Sequence, residues 1–310
     1  MSARFRAIVV GYGIQGRKRA SVAGSDVVAI VDPIADGANI RSLSDVAADS
    51  YDAALVCAPD QAKVALITEL LARGKHVLVE KPLVGADSEL AAIEQLANER
   101  GAVCYTAYNH RFEPHFIRVR DALAQRAVGD VYHCRLFYGN GTARLVRDSA
   151  WRDQGSGVLH DLGSHLLDTL MFWFGDSLKE FRIVSSRCFE NRAPDHVVFA
   201  VAGTPQIECE MTLLSWRNHF TCDIFGSEGS LHVSSLCKWG PSTFTLRRRV
   251  IPSGRPPEES ITLIQDDPTW VAEYDHFRAL CAARQGGDVA RDRRLNFLLA
   301  DLARQAGPAK

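Results

Sequence analysis

Several things are missing from this 310-residue sequence, and each absence closes off a class of function. Charge of one sign is absent: the formal net charge is −1 and the isoelectric point about 6.8. That removes the electrostatic basis for holding nucleic acid or an anionic membrane surface. Closely spaced cysteines are absent as well. The eight present, at 57, 104, 134, 188, 209, 222, 237 and 281, are never nearer than thirteen residues apart. No C-x-x-C pair therefore offers a zinc or redox motif, and no metal is expected. Most of these cysteines lie in apolar runs, as buried reduced thiols of a cytoplasmic protein would. No apolar run reaches the length of a membrane span, and the first strand begins by about residue 5, which leaves no room for a secretory signal. Internal repeats and low-complexity linkers are also missing. These exclusions leave a cytoplasmic protein with a small, neutral or weakly charged ligand.

What is present is apolar content, 46% of residues, enough for two domains. From the start, short β-branched runs alternate with amphipathic stretches: FRAIVV, IQGRKRASVAG, VVAIVD, AALVCAP, AKVALITELLARG and HVLVE. This pattern predicts a doubly wound parallel sheet, joined by the strand AVCYTAY. A helix between them is expected to start on Asp87 as N-cap and stop at Gly101. After Gly129 the texture changes to strand after strand, such as VYHCRLFYG, HVVFAVAG and IECEMTLLSW, which predicts a mainly antiparallel sheet. An apolar helix over about 159–174 interrupts it, and helices at about 269–284 and 292–305 close the chain. The linear boundaries are 1–115 for the dinucleotide-binding domain, 116–290 for an α/β domain, and 291–310 for a C-terminal helix packing back near the first domain.

The motif G-x-G-x-x-G at Gly11, Gly13 and Gly16 follows a strand and opens a helix, the context its mechanism requires. Gly11 serves the tight turn, Gly13 the approach of a pyrophosphate, and Gly16 the packing of helix on strand. Ile14 and Gln15 lie inside the turn and Pro59 follows a neighbouring strand, so all three join the cofactor-binding set. Asp32 ends the second strand, where a carboxylate accepts from both hydroxyls of the adenine ribose; NAD is therefore favoured over NADP. Arg17, Lys18 and Arg19 place positive charge nearby, although a surface helix face explains them equally well.

Glu80, Lys81 and Pro82 end another parallel strand, at the sheet edge where ligands collect, which places Glu80 and Lys81 among the expected cofactor contacts and lets Lys81 reach a substrate. In HDLGSHLLDTLMFWFG, the residues Asp161, His165 and Asp168 recur at i, i+4 and i+7 of an otherwise apolar helix. Burying two acids and an imidazole costs several kcal/mol unless they are partnered or useful, so this stripe is expected to line a cavity. Neutral histidine takes a hydroxyl proton near pH 7, and a neighbouring carboxylate steadies the imidazolium. Such a pair suits alcohol oxidation.

Taken together, GYGIQG, VD at 31–32, EKP at 80–82 and DLGSH at 161–165 resemble the glucose-fructose oxidoreductase and inositol dehydrogenase family, Gfo/Idh/MocA. YNHRFEP at 108–114, WR at 151–152, FGSEGSL at 225–231 and the closing helix support the resemblance, which covers nearly the whole chain. It implies a Rossmann domain joined to an α/β domain on a large open antiparallel sheet, with the active site between them and a homodimer or homotetramer formed through that sheet. It also implies that Lys81 hydrogen-bonds the reacting hydroxyl, that His165 is the general base, and that Asp161 orients and polarises the site. Tyr108, Asn109, His110 and Arg111 would reach cofactor or substrate, with His110 and Arg111 alternatively bridging to Glu113 or to the helix that follows; Arg152 would meet a polar or anionic substrate group, and Trp151 would pack. His160, directly before Asp161, is a second candidate acid-base group. The activity implied is hydride exchange between NAD(P) and a secondary hydroxyl of a sugar, sugar nucleotide or polyol. Bilin or dihydrodiol oxidoreduction, NAD-dependent glycoside cleavage and a non-catalytic NAD-binding regulator are the alternatives.

Overall fold

Short apolar runs make the strands of the first sheet, most of them covered on both faces as a parallel sheet requires. In the computed structural model, which describes residues 5–149, 152–285 and 287–307, these are β1 (Ala7–Val10), β2 (Val27–Val31), β3 (Ala53–Val56), β4 (His76–Glu80) and β5 (Cys104–Ala107). Between them run α1 (Ile14–Ala23), α2 (Asp60–Ala72) and α3 (Asp87–Arg100). Every position of β1, β3 and β5 is buried. All pairs are parallel, in the order β2-β1-β3-β4-β5. The strand order reverses between β1 and β3, and ligands of such sheets bind beyond the carboxyl ends at that point. Helix α3 stops at Gly101 in the left-handed conformation, as expected. Its N-cap, however, is Ala86 and not Asp87: the Ala86 N–H donates to the Glu89 carboxylate at 2.8 Å, while the Asp87 carboxylate accepts from Arg293.

The remaining chain supplies α4 (Pro114–Ala124), β6 (Val131–Gly139), α5 (Ala143–Arg147), α6 (Ser164–Phe174), β7 (Phe181–Arg187), β8 (His196–Val201), β9 (Gln206–Thr212), β10 (His219–Gly226), β11 (Gly229–Ser234), β12 (Ser242–Arg248) and β13 (Glu258–Leu263). Helices α7 (Thr269–Ala283) and α8 (Val289–Ala306) close it. The eight strands form one sheet, β13-β12-β11-β10-β6-β9-β8-β7, antiparallel except for the β6–β9 pair. Strand β12 alternates buried and half-buried side chains, the mark of a sheet with one covered face. The basic run Arg247–Arg249 sits at its end, where Arg247 and Arg248 pair with Glu258 and Glu259 of β13. All eight cysteines are free, and six are buried.

Two compact units result: 1–109 with 269–297, and 110–268 with 298–310. Helix α7 therefore belongs with the first sheet, where the linear boundary had placed 269–290 with the second. The cause lies in side chains: Glu273 neutralises Arg19 at 2.7 Å, Tyr274 donates to Asp26 at 3.0 Å, and Phe277 packs against Tyr105. Helix α8 is divided between the units, its first part held by Arg293 on Asp87 and Glu94 and by Asn296 on the Gly85 carbonyl.

Candidate active site

The glycine turn of the first unit has three distinct environments. Gly11 has φ +92°, and a Cβ there would lie 2.7 Å from the Cys57 carbonyl oxygen. At Gly16 a Cβ would lie 1.9 Å from the Gly11 carbonyl oxygen. A Cβ on Gly13 would meet nothing within 4 Å. Two glycines are thus required by the fold, and the third leaves space in front of the helix. Gly13 is the N-cap of α1; no side chain caps this end and no acid occupies its first turn. Uncapped N–H groups at the positive end of a helix suit a pyrophosphate. Ile14 is 86% exposed here, and Gln15 and Pro59 are exposed beside it, surfaces a cofactor would cover. The residues present therefore fit a dinucleotide.

Asp32 follows β2 and is nearly buried. Its carboxylate accepts from the backbone N–H groups of Tyr12 (2.7 Å), Ile34 (2.9 Å) and Ala35 (2.7 Å). Burial alone would raise its pKa, but these three donors, with Arg41 nearby, hold it below the usual carboxylate range. The charged acid is fixed beside the glycine turn. Of the basic triplet, Arg17 lies over the Tyr12 ring and Lys18 over Trp270. Arg19 is neither surface nor cofactor contact. It is 1% exposed, ion-paired with Glu80 at 2.6 Å and with Glu273, and stacked on Trp270.

Glu80, expected among the cofactor contacts, thus gives its carboxylate to Arg19. Lys81 stands next, half-buried, beyond the carboxyl end of β4, on a cis peptide to Pro82. Lys63, unnoticed in the sequence, donates to the Glu80 carbonyl at 2.6 Å and the Pro82 carbonyl at 2.9 Å. Tyr108 is wholly buried, and Asn109 donates its amide to the Thr269 hydroxyl at 2.8 Å.

In the second unit the expected stripe divides. The helix does not run regularly through it: 159–163 form one wide π turn, and α6 begins only at Ser164. Such turns arise frequently at functional sites. His160 and Asp161 ride on this turn, and the Asp161 carboxylate, 40% exposed, faces Arg152 at 3.5 Å. Trp151 lies outside the described residues. Asp168 does not line a cavity. It is wholly buried and accepts from Arg111 Nε at 3.0 Å and Nη2 at 2.5 Å, which replaces the Arg111–Glu113 bridge weighed from the sequence. Glu113 instead accepts from the Cys237 thiol at 2.9 Å, and burial raises both groups.

His165 is 8% exposed and stacks on His110, ring centroids 4.0 Å apart. Lys238 reaches His110 Nε2 and the Tyr138 hydroxyl, each at 3.4 Å. Its side chain is crowded by neighbours yet open to solvent, and desolvation lowers its pKa against the pull of Asp267, Glu113, Cys237 and Asp161. An imidazole, a phenol and an ammonium thus converge, a set able to accept, share and return a proton. Among the described residues no group of His, Cys, Asp and Glu is arranged to hold a metal, and no helix is long and apolar enough to cross a membrane.

Residues 5–108 match the family model described as an oxidoreductase family, NAD-binding Rossmann fold, and residues 116–232 match the GFO/IDH/MocA C-terminal domain. Trans-1,2-dihydrobenzene-1,2-diol dehydrogenase of Oryctolagus cuniculus is 27% identical over 197 residues, 63% of this chain and 59% of that protein. The chain spans 37–59% of the length of the first curated relatives it matches. Two solved structures share the fold. Levoglucosan dehydrogenase in complex with NADH superposes with TM-score 0.82 at 17% identity, over 97% of this chain and 96% of the other. UDP-N-acetylglucosamine 3-dehydrogenase GnnA from Acidithiobacillus ferrooxidans gives 0.79 at 20%, over 97% of each.

Proposed function

The chain belongs to the GFO/IDH/MocA oxidoreductase family, and from that premise we propose that it exchanges a hydride between NAD and a secondary hydroxyl or ketone of a sugar, sugar nucleotide or polyol. One observation carries the reading: the open space at Gly13 between two glycines that the fold itself demands. Asp32, kept charged by three N–H donors, favours NAD, since a 2′-phosphate would meet a fixed negative charge. When bound, the nicotinamide supplies the two-electron acceptor or donor.

The protein's own residues handle the proton and the charge. His165 takes the hydroxyl proton, Lys81 donates a hydrogen bond to the developing alkoxide, and Asp161 orients the site. Electrostatic stabilisation of this kind is worth about 3–4 kcal/mol where one donor is removed. Arg152 contacts a polar substrate group. A homodimer or homotetramer through the open face of the eight-stranded sheet completes the proposal.

A second reading, oxidation of a cyclic dihydrodiol, has its support in the rabbit relative. The two differ in substrate and not in chemistry. Incubation with NAD or NADP and a panel of sugar nucleotides, free sugars, inositols and dihydrodiols, followed by absorbance of the reduced cofactor, separates them. Oxidation of a polyhydroxylated substrate, lost in Lys81→Ala and His165→Ala while NAD still binds, supports the assignment. Wild-type turnover in either variant rejects it.

A further inference from the structure

Lys63 occupies a place where a lysine is not expected. It lies on the face of α2 that also buries Ile67, Leu70 and Leu71, and it is 2% exposed. An ammonium carries three donors and no acceptor, so at such a site each N–H must be accounted for. Here the count closes. One partner is the Asp60 carboxylate at 2.7 Å, the second the Glu80 carbonyl at 2.6 Å, and the third the Pro82 carbonyl at 2.9 Å. The two carbonyls flank Lys81 in sequence. Burial pushes the Lys63 pKa down, while Asp60 and Glu80 act to retain the charge.

Glu80 is held from the other side as well, by Arg19 of α1 on its carboxylate. Two buried cations therefore converge on the residue before Lys81. One comes from the helix that follows the glycine turn, the other from the helix that follows Pro59. We propose that Lys63 is a positioning residue for Lys81: by gripping the carbonyls on either side, it fixes the turn on which that lysine stands. This rests on the reading of Lys81 as the group that meets the reacting hydroxyl. Methionine at 63 would keep the apolar stem and remove all three donors, leaving two carbonyls without their cation.

The test compares Lys63→Met with Lys75→Met. Lys75 makes a similar bond, to the Tyr51 carbonyl at 2.8 Å, but just before the opposite end of β4. Hydrogen exchange of the amides of Lys81, Leu83 and Val84 in the substrate-free protein is the first readout. It is expected to speed up roughly tenfold in Lys63→Met and to stay unchanged in Lys75→Met. Turnover with an oxidised substrate is expected to fall by a similar factor in Lys63→Met, with the KM for NAD little altered. Unchanged exchange in Lys63→Met, or equal acceleration in Lys75→Met, overturns the proposal. Should Lys63→Met not fold, Lys63→Gln, whose shorter side chain cannot span all three acceptors, carries the same expectation and the same rejection. The exchange readout needs no substrate, so its outcome is separate from that of the substrate panel.

Discussion

His110 and His165 lie face to face, their ring centroids 4.0 Å apart and their planes inclined by 20°. A proton on both rings would set two positive charges about 4 Å apart, at a cost of about 4 kcal/mol for an effective dielectric near 20. One ring is therefore the platform for the other. His110→Phe is expected to retain most of the turnover that His110→Ala loses, because an aromatic contact is worth about 0.5–1.5 kcal/mol. Equal losses in the two variants, measured as kcat, would show that the His110 nitrogens matter more than its ring.

Arg111, part-buried, and Asp168, wholly buried, form a bidentate pair. Removing one partner leaves an uncompensated charge, which typically costs about 3–5 kcal/mol. Arg111→Met and Asp168→Leu are each expected to destabilise the chain by that order in urea unfolding, and the double variant to recover a large part of the loss. Additive losses would count against the pair.

The three glycines make separable expectations. Gly13→Ala should fold with an unchanged melting temperature, since φ is −72° and the space is open, yet lose NAD affinity by about tenfold, or ~1.4 kcal/mol. Gly16→Ala should fail at the level of folding, because its Cβ would overlap the Gly11 carbonyl oxygen. Thermal denaturation and a fluorescence titration with NAD check both.

Asp32 links acid stability to the cofactor turn. Its pKa in the folded chain is held below the unfolded value of about 3.9, so its contribution is fully present above that value and disappears as pH falls through the folded pKa. Asp32→Asn is expected to be less stable than the wild type at pH 7, and the gap should narrow as pH falls below about 4. Urea unfolding at pH 7 and pH 3 measures it; a gap independent of pH would locate the Asp32 effect outside its charge. The same variant should narrow the preference for NAD over NADP.

Periodicity makes much of the fold legible in the sequence. The run AALV cannot be anything but covered on both sides, and the glycine turn declares its own geometry. What escaped was set by partners far along the chain. Asp87 was a plausible helix cap, but Arg293, 206 residues later, holds its carboxylate. Arg19 sat among exposed bases in the sequence, and only Glu273 and Trp270 reveal why it is buried. Edge strand β13 lacks a covered face, with five of its six residues exposed, and so shows no alternating pattern to read.

At the candidate site, residue type and spacing single out Lys81, Asp161 and His165. Regular helical spacing misplaced Asp168 in a cavity because it could foresee neither the π turn nor Arg111. Lys63 and Lys238 carried no local signal at all. Each gains meaning only from carbonyls or rings brought in by other elements.

The interleaving of the two units bears on how the protein is made. Residues 269–297 complete the first unit, so a nascent chain that has emerged only as far as β5 still lacks Glu273, and Arg19 has one of its two carboxylates to come. Strand β6, likewise, waits for β9 to pair one of its edges and for β10 to pair the other. Each unit is completed only by a segment that follows part of the other in the chain.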